Sequence, residues 1–210
     1  MNKRILALPA AALTALVLAG CGSDDTPAAA PAPATTTAAP STSASAGVSA
    51  EHNAADIMFA QMMIPHHRQA IDMAKMAPTR ASSADVKALA TKIWTAQDPE
   101  IQTMSTWLLT WKAAVPTGMP GMDMGDGGMS MPSMPGAMSD ADMKKLESLS
   151  GAAFDKEFLT MMTAHHKGAI QMAQEEQKNG KNPEAVALAG KIVTDQTAEI
   201  AEIQKLLNAS

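Results

Sequence analysis

The chain has 210 residues, of which 46% are hydrophobic and 18% charged, with a formal net charge of −5 at pH 7. An acidic balance without a basic stripe or an RNA-binding motif excludes the electrostatic footprint of a nucleic-acid binder. A single cysteine, Cys21, excludes a disulfide within one molecule, and the length allows one domain with appendages.

The first element is a leader. Lys3 and Arg4 precede an uncharged, mostly apolar run over residues 5–20. About 20 apolar residues are needed to span a bilayer, so this shorter run behind a basic start reads as an export signal over residues 1–20. Leu18-Ala19-Gly20-Cys21 resembles the lipobox of bacterial lipoproteins, which implies cleavage before Cys21 and a diacylglyceryl group on its sulfur. Two or more acyl chains hold a protein stably on a membrane. The mature chain is therefore expected to be lipid-anchored, on the outer face of the cytoplasmic membrane or in the periplasm or cell envelope. Loss of Lys3 and Arg4 takes its formal charge from −5 to −7. Residues 21–50, rich in Ala, Pro, Thr and Ser, bury too little apolar surface to offset their ordering entropy, and read as a disordered tether.

The domain over residues 51–210 is organised by an internal repeat. The segment 56–74, DIMFAQMMIPHHRQAIDMA, returns 99 positions later over 155–173 as DKEFLTMMTAHHKGAIQMA. The same offset aligns 87–108 with 186–207, so the repeated unit is a hairpin of two elements. Leu89, Ile93, Ile101, Met104 and Leu108 recur at helical steps, as do Leu188, Ile192, Ile200, Ile203 and Leu207. Ser83 and Asn182 read as N-caps, with Pro183 at a first helical position and Asn179-Gly180 as a helix stop. Pro65 is expected to kink the first helix and free the carbonyl of Gln61. The fold class is all-α: a four-helix bundle of two duplicated hairpins joined by a long crossover, residues 113–139.

On the first helix, Phe59, Met62, His66, Ala70 and Met73 share a face at 100° per residue, with Met63 and His67 beside it. The repeat gives Phe158, Met161, His165, Ala169 and Met172, with Met162 and His166 alongside. A methionine stripe alone would be core. Adjacent histidines point about 100° apart, so at least one of each pair should border the interior, where an imidazole must satisfy both ring nitrogens. Twin histidine pairs with thioethers one turn away supply what a soft or borderline metal needs. The crossover carries Met119, Met122, Met124, Met129, Met131, Met134 and Met138 among Gly, Pro, Ser and Asp. Uncharged thioethers at these spacings suit Cu(I), and Ag(I), over hard cations; a greasy partner-binding loop or an oxidant sink is the competing reading.

The stretches Phe59…MIPHH…A…MA and Gly151-Ala-Ala-Phe-Asp…F…MM…HHKGA…MA resemble the bacterial domain of unknown function numbered 305, over about residues 54–207. The resemblance implies a ferritin-like fold, export, and copper as the bound ion, with His66, His67, Met62, Met63, Met73, His165, His166, Met161, Met162 and Met172 as ligands. The expected function is sequestration, resistance or transfer of copper without turnover, with a copper-transfer partner possible in chemistry and no nucleic acid. The rivals are a ferritin-like oxidase with a His/Glu site using Glu100 and Glu199, and a non-metal interaction module. Histidine ligands at their ordinary pKa compete with protons below about pH 6, so acid should strip the helices before the thioethers.

Overall fold

The structure, a computed structural model, describes residues 49–118 and 134–209. The signal, Cys21, the tether up to residue 48, and Met119, Met122, Met124, Met129 and Met131 lie outside the described residues. The described chain is helical: α1 (Ala54–Arg80), α2 (Ala84–Thr110), α3 (Asp140–Ser148), α4 (Gly151–Asn179) and α5 (Pro183–Ala209). None of these helices is long and apolar enough to cross a membrane. The all-α expectation holds, with four long helices in two hairpins and one addition. The short α3 falls just after the crossover, started by a capping box in which Ser139 and Asp142 satisfy each other's backbone N–H groups.

The caps expected at Ser83 and Asn182 are present, and α1 gains one at Asn53, whereas Ser150 at the start of α4 makes no side-chain cap. Asn53 accepts from the N–H of Ala55 at 2.7 Å, Ser83 caps α2 through Val86, and Asn182 accepts from Ala185 at 2.9 Å ahead of Pro183. Helix α1 continues through Pro65 and Pro78 without ending at either. Gly180 does stop α4, but at φ −65 rather than in the left-handed region. It is glycine for room, because a Cβ there would collide with the Glu176 side chain and carbonyl.

The two hairpins lock each other through one repeated residue. Asp56, at the start of α1, accepts from Lys181 N at 3.0 Å and Asn182 N at 2.9 Å in the turn between α4 and α5. Its counterpart Asp155, at the start of α4, accepts from Ser82 N at 3.1 Å, Ser83 N at 2.9 Å and the Ser82 hydroxyl in the turn between α1 and α2. Each hairpin's first helix thus holds the other's turn, which sets α1 and α4 antiparallel across the centre. Asp56 is held below the usual carboxylate range: its burial would raise it, but hydrogen bonds from Glu176 and three backbone N–H groups outweigh that. Glu176 beside it goes the other way, pushed up to about 8 by burial and then by the Asp56 carboxylate.

Packing divides along the bundle axis. One apolar cluster gathers Met73, Phe158, Met161, Met162 and Leu146 of α3. The other gathers Phe59, Met62, Met63, Trp107 and Met172. Between them lies a buried polar waist of His66, His67, His165, His166, Gln97, Gln196, Glu100 and Glu199.

The mutual lock predicts that Asp155→Ala lowers stability by about 2 kcal/mol, because three donors lose their acceptor at a part-buried turn. Chemical denaturation of the domain should show it; a loss below about 1 kcal/mol would mean that the turn is held by packing alone.

Candidate metal centre

The waist is built from the repeat. At position 67 and at position 166, α1 and α4 place the same side chain opposite the same carboxylate of their own hairpin. His67 Nε2 donates to Glu100 at 2.9 Å, and His166 Nε2 donates to Glu199 at 2.8 Å. Glu100 also takes Lys191 at 3.0 Å, from the other hairpin. Burial opposes its charge, but the hydrogen bond and charge of His67 and then those of Lys191 hold it below the usual range, so it is a carboxylate. A carboxylate on Nε2 fixes the proton there and leaves Nδ1 as a lone-pair donor, the arrangement that second partners give to metal-binding histidines.

His66 and His165 face each other across the α1–α4 interface, with ring centroids 3.7 Å apart and planes tilted by 35°. His66 Nε2 donates to the carbonyl of Pro135 at 3.1 Å, whereas neither ring nitrogen of His165 makes a hydrogen bond. Five buried ring nitrogens are left without partners: Nδ1 of His66, His67 and His166, and both nitrogens of His165. All four rings are buried, more than the expected one of each pair. Burial first, then the neighbouring His67, lowers His66 to about 3; burial and then His66, His166 and His67 hold His165 well below its ordinary value. These two imidazoles stay neutral, with lone pairs available, far into acid. The expected proton competition near pH 6 therefore does not apply to them, because it assumed solvated rings.

The helix methionines are placed by the same duplication. Met62, Met63, Met161 and Met162 lie one turn before His66, His67, His165 and His166 on the same faces. Since the helices are antiparallel, Met62 joins Met172 in one cluster and Met161 joins Met73 in the other, so thioethers pair between repeats rather than within one. All six are buried.

The end of the crossover is seated over the waist. The Gln69 amide grips the backbone of Met138 twice, donating to its carbonyl at 2.9 Å and accepting from its N–H at 2.7 Å. In the second repeat this position is Gly168, where a Cβ would strike the Pro135 carbonyl. One repeat position therefore grips the strap in α1 and clears space for it in α4. Met134 packs on one apolar cluster and Met138 on the other, so the strap straddles the histidines. The chain entering the crossover is held by α1 too: Arg68 donates to Pro116 O at 2.6 Å and Gln61 to Ala114 O at 2.9 Å.

Gln69, Pro135, Gln97 and Gln196 were not legible as site residues. Gln97 and Gln196 sit three residues before Glu100 and Glu199, buried, with amide atoms lacking partners. Their matching offset of 99 was the available signal, but an amide on a polar-looking face gives no reason to be buried.

Among the described residues, no three or more His, Cys, Asp and Glu side chains converge as a hard, many-ligand ion would need. Glu100 and Glu199, the carboxylates of the oxidase reading, face the histidines as hydrogen-bond acceptors. The donors that remain are a few imidazole nitrogens with thioethers one turn away, which suits a soft ion of low coordination number such as Cu(I).

No curated protein matches the chain. Several solved structures do. A protein described as secreted, from Streptomyces coelicolor, is 33% identical at a TM-score of 0.65, covering 74% of this chain and 93% of its own. CopM in a Cu(II)-bound form is 36% identical at a TM-score of 0.61, covering 73% and 96%; CopM is also known in Cu(I)-bound and Ag-bound forms. A fragment from Deinococcus radiodurans is 27% identical at 0.65, covering 75% and 98%. The family profile described as domain of unknown function (DUF305) matches residues 56–207. With that match over most of its length and the duplicated Met/His hairpin that produces this waist, the chain belongs to the DUF305 family.

Proposed function

We propose that the chain is an exported, lipid-anchored copper-binding protein that sequesters Cu(I) or passes it on, with Ag(I) as an alternative ion and no turnover. The observation that carries this is the set of five buried ring nitrogens without partners, in a waist flanked by thioethers. Leaving a buried polar atom unsatisfied costs about 1–3 kcal/mol, and a bound soft cation removes that cost for each nitrogen it takes. The similarity to CopM, which binds copper and silver, supports the same ion. The methionines of the crossover, Met119 to Met138, form a second class of site, suited to Cu(I) by softness and lack of charge. The leader with Cys21 puts the domain outside the cytoplasm, where thioethers persist and thiols oxidise.

The central test is anaerobic titration of the mature chain with Cu(I) against a chromogenic chelator. Replacing His66, His67, His165 and His166 with Ala should remove the bundle sites and leave the crossover sites. The replacement removes five unsatisfied nitrogens but also the donors to Glu100, Glu199 and the Pro135 carbonyl, so the variant should be less stable yet keep its helices, since Ala is a strong helix former. Unchanged copper stoichiometry with a collapse of helicity would mean that the histidines are structural.

Acid provides a second check. With His66 near 3 and His165 also held low, a proton does not displace metal from this pair until the pH approaches that range. Copper retained by a variant lacking residues 119–133 should persist at about pH 5. Half-loss near pH 6.5 would show that the ligands are solvated histidines.

Location is checked separately: Cys21→Ala should move the protein out of the membrane fraction or block its processing, and a wild-type chain found wholly soluble with a free Cys21 thiol would contradict the anchor.

A further inference from the structure

The duplication makes two equivalent grooves between α1 and α4, one on each side of the waist, and the structure treats them differently. One is bordered by Met73, Phe158 and Met161 and is filled by α3, whose Leu146 is fully buried there. The positions 99 apart, Met172, Phe59 and Met62, border the other, which among the described residues is a cavity of about 350 Å³. Two substitutions between the repeats produce the difference in shape and chemistry. Ala55 stands where the filled groove has the bulky Phe154, and Glu176 stands where it has Ala77.

The open groove has a graded lining. Met58 at its rim is 54% exposed, while Met62 and Met172 deeper in are each 8% exposed. At the inner side is Pro135, the residue whose carbonyl holds His66. Glu176 lines the groove with its carboxyl almost wholly buried, and no hydrogen-bond donor of the surroundings reaches either oxygen. Its one close polar neighbour is the Asp56 carboxyl, already committed to backbone N–H groups. Burial and the adjoining Asp56 carboxylate keep Glu176 protonated, so it presents a neutral carboxyl oxygen to the groove. Three thioethers and one neutral carboxyl oxygen are donors for a soft cation rather than a hard one.

We propose that this groove is the port through which Cu(I) reaches the His66/His165 pair, with Met58 as the receiving thioether, Met62 and Met172 as the inner ones, and Glu176 as an oxygen donor at its floor. This rests on the copper reading given above. Cu(I) passes from a donor by ligand exchange rather than as a free ion, so a thioether presented at the surface governs how fast transfer begins. No redox change is involved, since the ion enters and leaves each position as Cu(I); where Glu176 binds the ion as a carboxylate, its proton is released to solvent and is taken up again when the ion moves on. The filled groove cannot serve, since Leu146 occupies it, and the route is therefore one-sided in a two-sided fold.

Stopped-flow transfer of Cu(I) from a chromogenic chelator to the full mature chain tests the port. Met58→Leu and Glu176→Gln should each slow uptake by about tenfold, while Met143→Leu on α3 should load at the wild-type rate. Circular dichroism verifies that each variant is folded. Because Glu176 is buried, a second readout accompanies it: with one equivalent of Ag(I), the methyl resonances of Met58, Met62 and Met172 in 13C-methyl-methionine-labelled wild type should shift. Uptake by both variants at the wild-type rate, equal slowing by Met143→Leu, or unshifted groove methyls would each overturn the port while leaving copper binding intact. A wild-type chain that takes no Cu(I) at equilibrium would overturn the copper reading and the port together.

Discussion

Burying an imidazole demands a partner for each of its two ring nitrogens, and this bundle buries four imidazoles at one level. The surrounding architecture follows from how that demand is met in part. Glu100 and Glu199 satisfy one nitrogen each on His67 and His166, and the Pro135 carbonyl satisfies one on His66. Apolar clusters above and below bury the others among hydrophobic side chains. A purely structural core would have resolved the remaining nitrogens with further acceptors or replaced the rings with apolar side chains, since an unpaired buried polar atom is a net loss. That deficit is what the proposed copper site would relieve.

Duplication is the economical way to build such a layer. Two copies of one hairpin, set antiparallel by Asp56 and Asp155, bring equivalent histidines together from opposite directions without any long-range coincidence in sequence. The same operation pairs Met62 with Met172 and Met161 with Met73 across the copies. Position 67 and position 166 then carry the same second-partner carboxylate at the same sequence separation, which explains why Glu100 and Glu199 recur in the repeat although they are not themselves positioned as a shared metal-binding pair.

Departures from the symmetry are where access and closure reside. Gln69 grips the strap and Gly168 makes way for it, so a single crossover can lie across a nearly symmetric surface in one orientation. Helix α3 fills one groove, and Ala55 with Glu176 opens the other. The low protonation tendency of His66 and its unengaged Nδ1 have one origin, because burial both disfavours the imidazolium and leaves that nitrogen without a partner.

The sequence by itself determined the parts of this protein that depend on local periodicity and on repetition. The helical spacing of apolar residues, the caps at Ser83 and Asn182, and the offset between the two Met/His segments required no tertiary information, since each is a relation among residues close in the chain or identical in two places. It also singled out the histidines and methionines, because buried-face imidazoles next to thioethers are uncommon as plain core. Only the tertiary structure decided which rings meet, that His66 pairs with His165 while His67 and His166 turn to carboxylates, and that all four are buried. Pairing between helices depends on their antiparallel setting and rotation, which Asp56 and Asp155 fix through contacts more than 70 positions apart. For the same reason the Gln69 grip on Met138 and the groove by Glu176 were not legible: each arises where two distant segments approach, and nothing in either segment alone records the other; α3 did carry a local signal, the Ser139/Asp142 capping box, but its nine residues are too short for a helical period to stand out.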